Sequence, residues 1–323
     1  MKKNRFNLFF SFSNQLQELL TKASQQKNPA LWLHQNKVRS LLFMLEGLTR
    51  LHKNAFNEKL FDKWNKRFKK LEDIFGEIDQ NLSLEAELKL NKKNSNEVIK
   101  YFNVHALNSL ERCNQRLIEK DWFNGKLDSF TLKLDEFDVE YNTEYIDEIR
   151  KAIKEEIEAI LIFGEKVNFE FTKIEEEVHE IRRKLRWLSI YGQALNGLIQ
   201  LKKSPKKRVF SENYFTKTIL NSPYNVLPKK PNNVAILEFD SDSFFALSWL
   251  INILGDLKYK GLKTQLLSNA IFITEKITQT EASDKALVNL GLKKQSQNEI
   301  LKLASNHVFN ALSKDKILNS LII

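Results

Sequence analysis

Apolar residues recur every three or four positions along most of this 323-residue chain, which is the spacing of amphipathic α-helices. The pattern predicts helices over residues 8–24, 30–53, 57–79, 95–120, 122–138, 142–163, 172–202, 240–259, 262–280 and 296–312. The runs "NFEF" and "VAILEF" resemble short strands, but two isolated strands do not predict a sheet. We therefore expect an all-α fold.

Glycine and proline are scarce, with 9 and 5 residues, and this scarcity favours long helices over a strand-rich fold. Four of the five prolines fall in one stretch, at Pro205, Pro223, Pro228 and Pro231. This stretch, near residues 202–236, is predicted to be a long basic connection with at most one short helix.

A weak internal repeat divides the chain. Residues 33–48, "LHQNKVRSLLFMLEGL", resemble residues 178–195, "VHEIRRKLRWLSIYGQAL". Each is followed by a segment in which a glycine is expected to close a helix, "LEDIFGEIDQ" and "LINILGDLKYKG". The repeat predicts two related helical halves of one domain, residues 1–140 and 141–323, with the proline-rich insertion in the second half.

One helix of the second half carries a basic stripe. A helix advances about 100° per residue, so His179, Arg182, Arg183 and Arg186 share little more than about a quarter of its circumference. These groups repel one another unless acidic side chains or a bound polyanion face them. A solvated or salt-bridged surface beside the acidic residues 144–158 stays open as the simpler interpretation.

The net charge of +10 favours a polyanionic partner, but it does not choose among nucleic acid, an anionic membrane and polymeric phosphate. No nucleic-acid-binding module is recognisable. No apolar run reaches the ~18 residues that span a bilayer, and the single cysteine, Cys113, fits a reducing cytoplasm. Cys113 has no evident histidine partner, and the histidines show no metal-ligand spacing. We expect no cofactor.

The two repeats resemble the motifs of the CHAD domain, a family of histidine-containing α-helical domains. The family motif places a basic residue three positions after a histidine, as in His34 with Lys37 and His179 with Arg182. The segments "FGEIDQ" and "LGDLKY" stand where the family has a conserved turn, and residues 111–137 are similar to its later helices. The resemblance covers roughly residues 8–320.

The resemblance implies two pseudo-symmetric helical bundles with a basic cleft that binds inorganic polyphosphate, in a protein that is not an enzyme. Its implied contacts are His179, Arg182, Arg183 and Arg186, followed by His34 and Lys37. Lys66 and Lys70, one helical turn apart, would extend the groove.

The chain departs from the family at Leu41 and Leu42, where basic residues are usual, so the first half of the site is expected to be weaker. One alternative is therefore a helical interaction protein that has lost polyphosphate binding and contacts a protein partner. A hydrolase or kinase acting on phosphate polymers is a further alternative, although no metal-binding carboxylate cluster supports it.

Overall fold

The structure, a computed structural model, describes residues 8–56, 59–90, 95–136, 140–205, 210–292 and 297–323. Helices dominate the described residues, which confirms the predicted all-α class. The α-helices are α1 (Leu8–Ser24), α2 (Pro29–Gln35), α3 (Val38–Phe56), α4 (Lys59–Leu90), α5 (Asn96–Glu119), α6 (Asp128–Glu136), α7 (Thr143–Lys166), α8 (Glu180–Ala194), α9 (Lys217–Leu220), α10 (Ser241–Glu275), α11 (Gln279–Asn289) and α12 (Gln297–Val308). Short π-helical turns, Ile174–His179 and Phe309–Lys314, precede α8 and follow α12.

Polar caps start several of these helices. The Asn142 side chain accepts a hydrogen bond from the backbone of Tyr145 at the start of α7. Asp240 does the same for Ser243 at the start of α10, at 2.9 Å, as expected for an aspartate directly before an apolar helix. Local sequence thus fixes where these helices begin.

The predicted single helix over residues 30–53 is wrong, because the chain breaks between α2 and α3. Lys37 adopts a left-handed conformation with φ of 57°, which a continuous right-handed helix does not contain. The break rotates α3 relative to α2, so helical angles counted from His34 do not carry over to residues after Lys37.

Gly76 and Gly255 do not close helices as predicted; α4 continues to Leu90 and α10 to Glu275. A glycine inside a helix costs only about 1 kcal/mol relative to alanine. The added turns bury apolar residues in a second, smaller core that includes Leu84, Leu88 and Leu267. Its other members are Val98, Phe102, Ala270, Ile271, Ala282 and Ala286. Burial of these side chains outweighs the glycine cost.

The prediction of no sheet is also wrong, because two short strands pair in parallel, β1 (Ile199–Lys202) with β2 (Leu237–Asp240). The connection between them holds three short helical pieces, not one: Glu212–Phe215, α9 and Pro223–Asn225. Residues 206–209 of this connection lie outside the described residues. "NFEF" forms no strand, because Asn168 and Phe169 both have positive φ.

The main core runs through both predicted halves. Leu42 and Leu48 of α3 belong to the same buried cluster as Leu185 and Leu188 of α8. Helix α3 also packs against α7, so the first half is held against the second by a continuous apolar interface. The pseudo-symmetry of the halves stays a prediction. In the described ranges, no helix has the length and apolarity needed to cross a membrane.

Candidate functional site

A charged cavity of about 520 Å³ lies where α4, α8 and α10 come together. Its walls are Arg39, Glu72, Asp73, Gly76, Glu77, Gln80, Glu175, His179, Arg182, Arg183, Arg186, Gly255, Lys258, Tyr259 and Leu262. A smaller cavity of about 190 Å³ continues it between α4 and α10 and shares Arg39, Gly76 and Lys258. The two cavities together are called the cleft here.

All four residues of the predicted stripe line this cleft: His179, Arg182, Arg183 and Arg186. Leu185, between them in sequence, is fully buried in the main core. Helix α8 is therefore amphipathic in the expected sense, with an apolar face toward the core and a basic face toward the cleft.

Arg182 forms no ion pair with a carboxylate among the residues that the structure describes. Its Nε donates to the backbone carbonyl of Ile251 at 3.1 Å. The guanidinium lies against Gly255, where an added Cβ would come within 3.0 Å of Nε. Burial lowers the pKa of Arg182, while the nearby Asp256 acts in the opposite direction.

Arg186 is the most deeply placed cation of the stripe. Its guanidinium carbon lies 4.1 Å from the centre of the Phe43 ring, a cation–π contact. The Nε atom is buried without a hydrogen-bond partner. Burial, aided by repulsion from Arg182, lowers the pKa of Arg186 to about 10. The group is therefore a desolvated cation with unused donor capacity.

Lys258 of α10 completes this group from the facing helix. Burial lowers the pKa of Lys258; Glu175 opposes the shift, while Arg182, Arg39 and Arg186 add to it. In the part of the chain that the structure describes, Arg182, Arg186 and Lys258 form no ion pair. These three residues are called the open cations below.

The other two stripe residues have acidic partners on their own helical segment. His179 Nδ1 lies 2.7 Å from a Glu175 oxygen, and Arg183 lies 2.7 Å from Glu180. Burial and the nearby Lys258 hold the pKa of His179 below its usual value, so its ring is mostly neutral near pH 7. Arg183 is 45% exposed at the outer edge of the cleft.

Arg39 also lines the cleft, although it was not among the residues predicted from the sequence to form the site. Its Nε donates to Glu72 at 2.7 Å, and its Nη1 lies 3.3 Å from Asp79. Its guanidinium packs on Gly76, where a Cβ would come within 2.8 Å of Nη2. The two similar glycine segments in the sequence, around Gly76 and Gly255, could have pointed to Arg39, because each glycine contacts an arginine from another helix.

The carboxylates that line the cleft are all engaged within the protein. Asp73 pairs with Lys69 at 2.7 Å, and Glu77 pairs with Arg112. Glu72 and Asp79 hold Arg39, and Glu175 holds His179. The acidic residues of α4 are thus neutralised by neighbouring cations. Glu175 is not, because the His179 ring is mostly neutral, and its charge partly balances that of Lys258. Arg182 and Arg186 carry most of the unbalanced positive charge of the cleft.

Glu46 of α3 is a buried carboxyl group close to this charge cluster. Burial, together with the neighbouring Glu72, raises the pKa of Glu46 to about 7. One of its oxygens is buried without a hydrogen-bond partner. Because the group is substantially protonated near neutral pH, it does not provide Arg186 with a full counter-charge.

Four predicted site residues lie away from the cleft lining: His34, Lys37, Lys66 and Lys70. Lys37 forms the exposed bend between α2 and α3. Lys66 is exposed and pairs with Asp62 at 2.6 Å, four residues earlier on α4. Lys70 is exposed on the same helix. The structure therefore brings together the second-half residues and leaves the first-half ones outside.

No group of three or more metal-ligating side chains suited to hold an ion occurs among the described residues. Cys113 is buried, and burial raises the pKa of its thiol to about 12, so the thiol is protonated at neutral pH.

Compared with known proteins, the chain matches no protein-family model, no curated protein and no solved structure. The functional argument consequently depends on the geometry and charge of the cleft.

Proposed function

We propose that the cleft binds a linear polyanion, with inorganic polyphosphate as the ligand, and that the protein is a CHAD-like binding domain with no catalysed step. One observation carries this proposal. Among the described residues, Arg182, Arg186 and Lys258 converge without forming an ion pair, whereas the acidic residues that α4 contributes to the same cleft are already paired with cations. A bound polyanion would supply the missing negative charge.

The residue types suit phosphate oxygens. Arginine offers planar, bidentate donors and lysine offers a compact point charge, and both bind phosphate in proteins. The Nε of Arg186 is buried with an unmet donor, and a hydrogen bond to a charged partner there would contribute about 1.5–3 kcal/mol. The ligand requires no recognition of bases, because a phosphate polymer has none.

The similar packing of two arginines supports the proposed relation between the halves. Arg39 lies on Gly76 and Arg182 lies on Gly255, and each arginine bonds to the residue four positions before that glycine, Glu72 or Ile251. In a pair of related halves, Arg39 would then take the place of Arg182, two residues away from the sequence alignment, in which Lys37 stands opposite Arg182. We also propose that the protein is cytoplasmic, as expected from its single cysteine.

A second candidate function is a helical interaction protein without polyphosphate binding. The observation that favours it is the state of the first half, where Glu72 and Asp79 neutralise Arg39 and Leu42 is buried in the main core. Under this alternative the open cations would contact acidic side chains of a protein partner, and the protein would bind no phosphate polymer.

Filter binding of long-chain polyphosphate at two salt concentrations separates these candidates. The test variant reverses three cleft arginines, Arg182→Glu, Arg183→Glu and Arg186→Glu. The matched control makes the same charge change on the exposed surface of α4, Lys63→Glu, Lys66→Glu and Lys70→Glu. We expect the test variant to lose binding and the control to retain most of it, with the helical circular dichroism of both unchanged.

Two further measurements test which polyanion the protein prefers and whether it hydrolyses polyphosphate. Duplex DNA should compete poorly with polyphosphate, and no phosphate should be released on incubation with magnesium. Equal binding by the parent and the arginine variant would contradict the site, and absence of binding by the parent would favour the interaction protein.

A further inference from the structure

Part of the connection between β1 and β2 exposes apolar side chains to solvent. Tyr224 is 73% exposed, Val226 is 69% exposed and Leu220 is 44% exposed. Single exposed apolar residues are common on protein surfaces, whereas a group of them marks a surface that contacts a partner. These three residues are called the apolar tip here, and they lie outside the cleft lining.

Polar contacts beneath the apolar tip hold it in place. Asn225 is buried, and its Nδ2 donates to the backbone carbonyl of Ile219 at 2.8 Å. The Nε2 of Gln193, on α8, donates to the carbonyls of the residues on either side of Asn225, at 2.9 and 3.0 Å. Because Asn225 bonds to Ile219, the next residue, Leu220, lies close to the rest of the tip. The polar residue is thus inside and its apolar neighbours are outside, the reverse of ordinary burial.

The chain is also fixed on both sides of the tip. Ile219, before it, is buried. Leu227, after it, packs on Gly192, where an added Cβ would come within 3.1 Å of the leucine Cδ2, and the Lys229 carbonyl lies against Gly197. The exposure of the tip therefore follows from the fold and not from a lack of contacts in this segment.

The surface around the tip is basic. Residues 213–237 contain three lysines, Lys217, Lys229 and Lys230, and no aspartate or glutamate. All three lysines are exposed, and none of them forms an ion pair among the described residues. A partner that covers this region must therefore accept apolar side chains and present negative charge beside them.

We propose that the apolar tip docks the protein on an anionic lipid membrane. The three apolar side chains enter the boundary between headgroups and acyl chains, and the three lysines contact the anionic headgroups. Tyrosine suits this boundary, because its ring is apolar and its hydroxyl is polar. Lysine is attracted to anionic lipids and is depleted at the centres of protein–protein interfaces. The combination favours a membrane over an acidic protein as the partner.

This site is independent of the polyphosphate proposal. Gln193, which holds the tip, lies about two helical turns after Arg186 on α8. The cytoplasmic leaflet of membranes carries anionic lipids, so docking agrees with the proposed cytoplasmic location. Changes to the exposed side chains of the tip are expected to leave the cleft intact.

Sedimentation of the full chain with lipid vesicles tests docking. We expect binding to phosphatidylcholine vesicles that contain about 30% phosphatidylserine, and binding at least about tenfold weaker to phosphatidylcholine alone. Any basic protein adheres to anionic vesicles through its charge, so the deciding variant keeps the charge constant. Tyr224→Gln with Val226→Gln should weaken binding to the anionic vesicles by about tenfold or more, because it removes the inserted apolar area.

The matched control is Leu132→Gln with Ile162→Gln. These residues of α6 and α7 are 66% and 63% exposed, so the control removes similar apolar exposure outside the tip. We expect the control to bind anionic vesicles like the parent. Lys229→Gln with Lys230→Gln should weaken this binding by about tenfold or more, since both lysines contact the headgroups. The circular dichroism of all variants should equal that of the parent.

The inference would be overturned if the parent did not bind anionic vesicles, or if the parent and the tip variant bound them equally. Equal binding would show adhesion by charge alone. If the tip variant does not fold, a phosphatidylserine monolayer decides the question with the unmodified protein. We expect the surface pressure to rise as the tip inserts, and adsorption without a rise would overturn the inference. Polyphosphate binding is measured separately and should be equal in the parent and the tip variant, so the two proposals can fail independently.

Discussion

Arg39 and Arg182 occupy similar surroundings but differ in charge balance. Each guanidinium lies on a glycine in the middle of a long helix, Gly76 or Gly255. Arg39 is held by two carboxylates, Glu72 and Asp79, whereas Arg182 bonds to a backbone carbonyl. The same residue type in the same kind of contact is therefore neutralised in one region and left charged in the other.

The difference shows that basic residues in a cleft do not by themselves make an anion site. An arginine already paired with buried carboxylates must give up those bonds before it can bind a ligand, and the exchange yields little net free energy. A buried arginine without such a partner has already lost its hydration when the protein folds, so ligand binding does not incur that cost again. The proposed binding site is therefore the second region, and in this proposal Arg39 has a structural role.

The largest effect is expected from removing the charge of the second region. Arg182→Met with Arg186→Met should weaken polyphosphate binding by at least about a hundredfold, since each lost charge-assisted bond is worth about 1.5–3 kcal/mol. Titration calorimetry would measure the change. Arg39→Met is the matched variant in the first region, and we expect it to change affinity less than about threefold. A larger loss from Arg39→Met would contradict the comparison.

Glu46 tests whether Arg186 lacks a counter-charge. Its pKa is raised from 4.5 to about 7, mainly by burial. Above pH 4.5 the carboxyl group ionises in the unfolded chain, whereas in the folded protein it retains its proton until the pH approaches 7. The free energy of unfolding therefore falls as the pH rises from 4.5 to 7, and it does not recover at higher pH. Glu46→Gln should raise the free energy of unfolding at pH 8 by about 2 kcal/mol and change it little at pH 4.

Urea unfolding at the two pH values would measure this effect, with Glu158→Gln as an exposed control on α7. A Glu46→Gln variant that is less stable than the parent at pH 8 would show that Glu46 is ionised and stabilises Arg186. The second region would then be partly neutralised, as the first is.

Neutralising the two acidic partners of Arg39 should leave this arginine without a carboxylate partner, as Arg182 is in the second region. Glu72→Gln with Asp79→Asn keeps the side-chain shapes and frees the guanidinium. We expect polyphosphate affinity to increase by about tenfold, together with some loss of stability because two ion pairs are removed. Calorimetric titration of this variant and of a variant that also carries Arg39→Met would show whether the gain depends on Arg39.

The smallest effect is expected at the two glycines. In Gly255→Ala the new methyl group would displace Arg182, and we expect about a threefold loss of affinity. Gly76→Ala displaces Arg39 in the same way and should leave binding unchanged. Both changes should alter stability by less than about 1 kcal/mol, because better helix propensity offsets the closer contact. Equal loss of affinity in both variants would remove the distinction between the regions.

The sequence alone predicted the helical class and the basic stripe because both depend on local periodicity. Residues 179–186 lie on one continuous helical segment, so their spacing was enough to place four side chains on one face. The start of α10 at Asp240 was also predictable, since a cap depends on neighbouring residues.

Arg39 and Lys258 were missed because their positions in the cleft depend on tertiary structure. The left-handed turn at Lys37 changed the angular position of Arg39. The lengths of α4 and α10 are determined by the second core, which joins residues far apart in sequence. The spacing along α8 places Glu180 three residues before Arg183, within reach of it, but could not show that Arg186 forms no ion pair among the described residues.

The dependence of polyphosphate affinity on salt tests the central claim most directly, because it counts the ion contacts that form on binding. For single-stranded polyanions each contact contributes about −0.7 to the slope of log affinity against log salt. We expect a steep slope for the parent, and a slope smaller by about 1.4 when Arg182 and Arg186 are both methionine. The same slope and affinity in the parent and the double variant would contradict the assignment of binding to these two arginines.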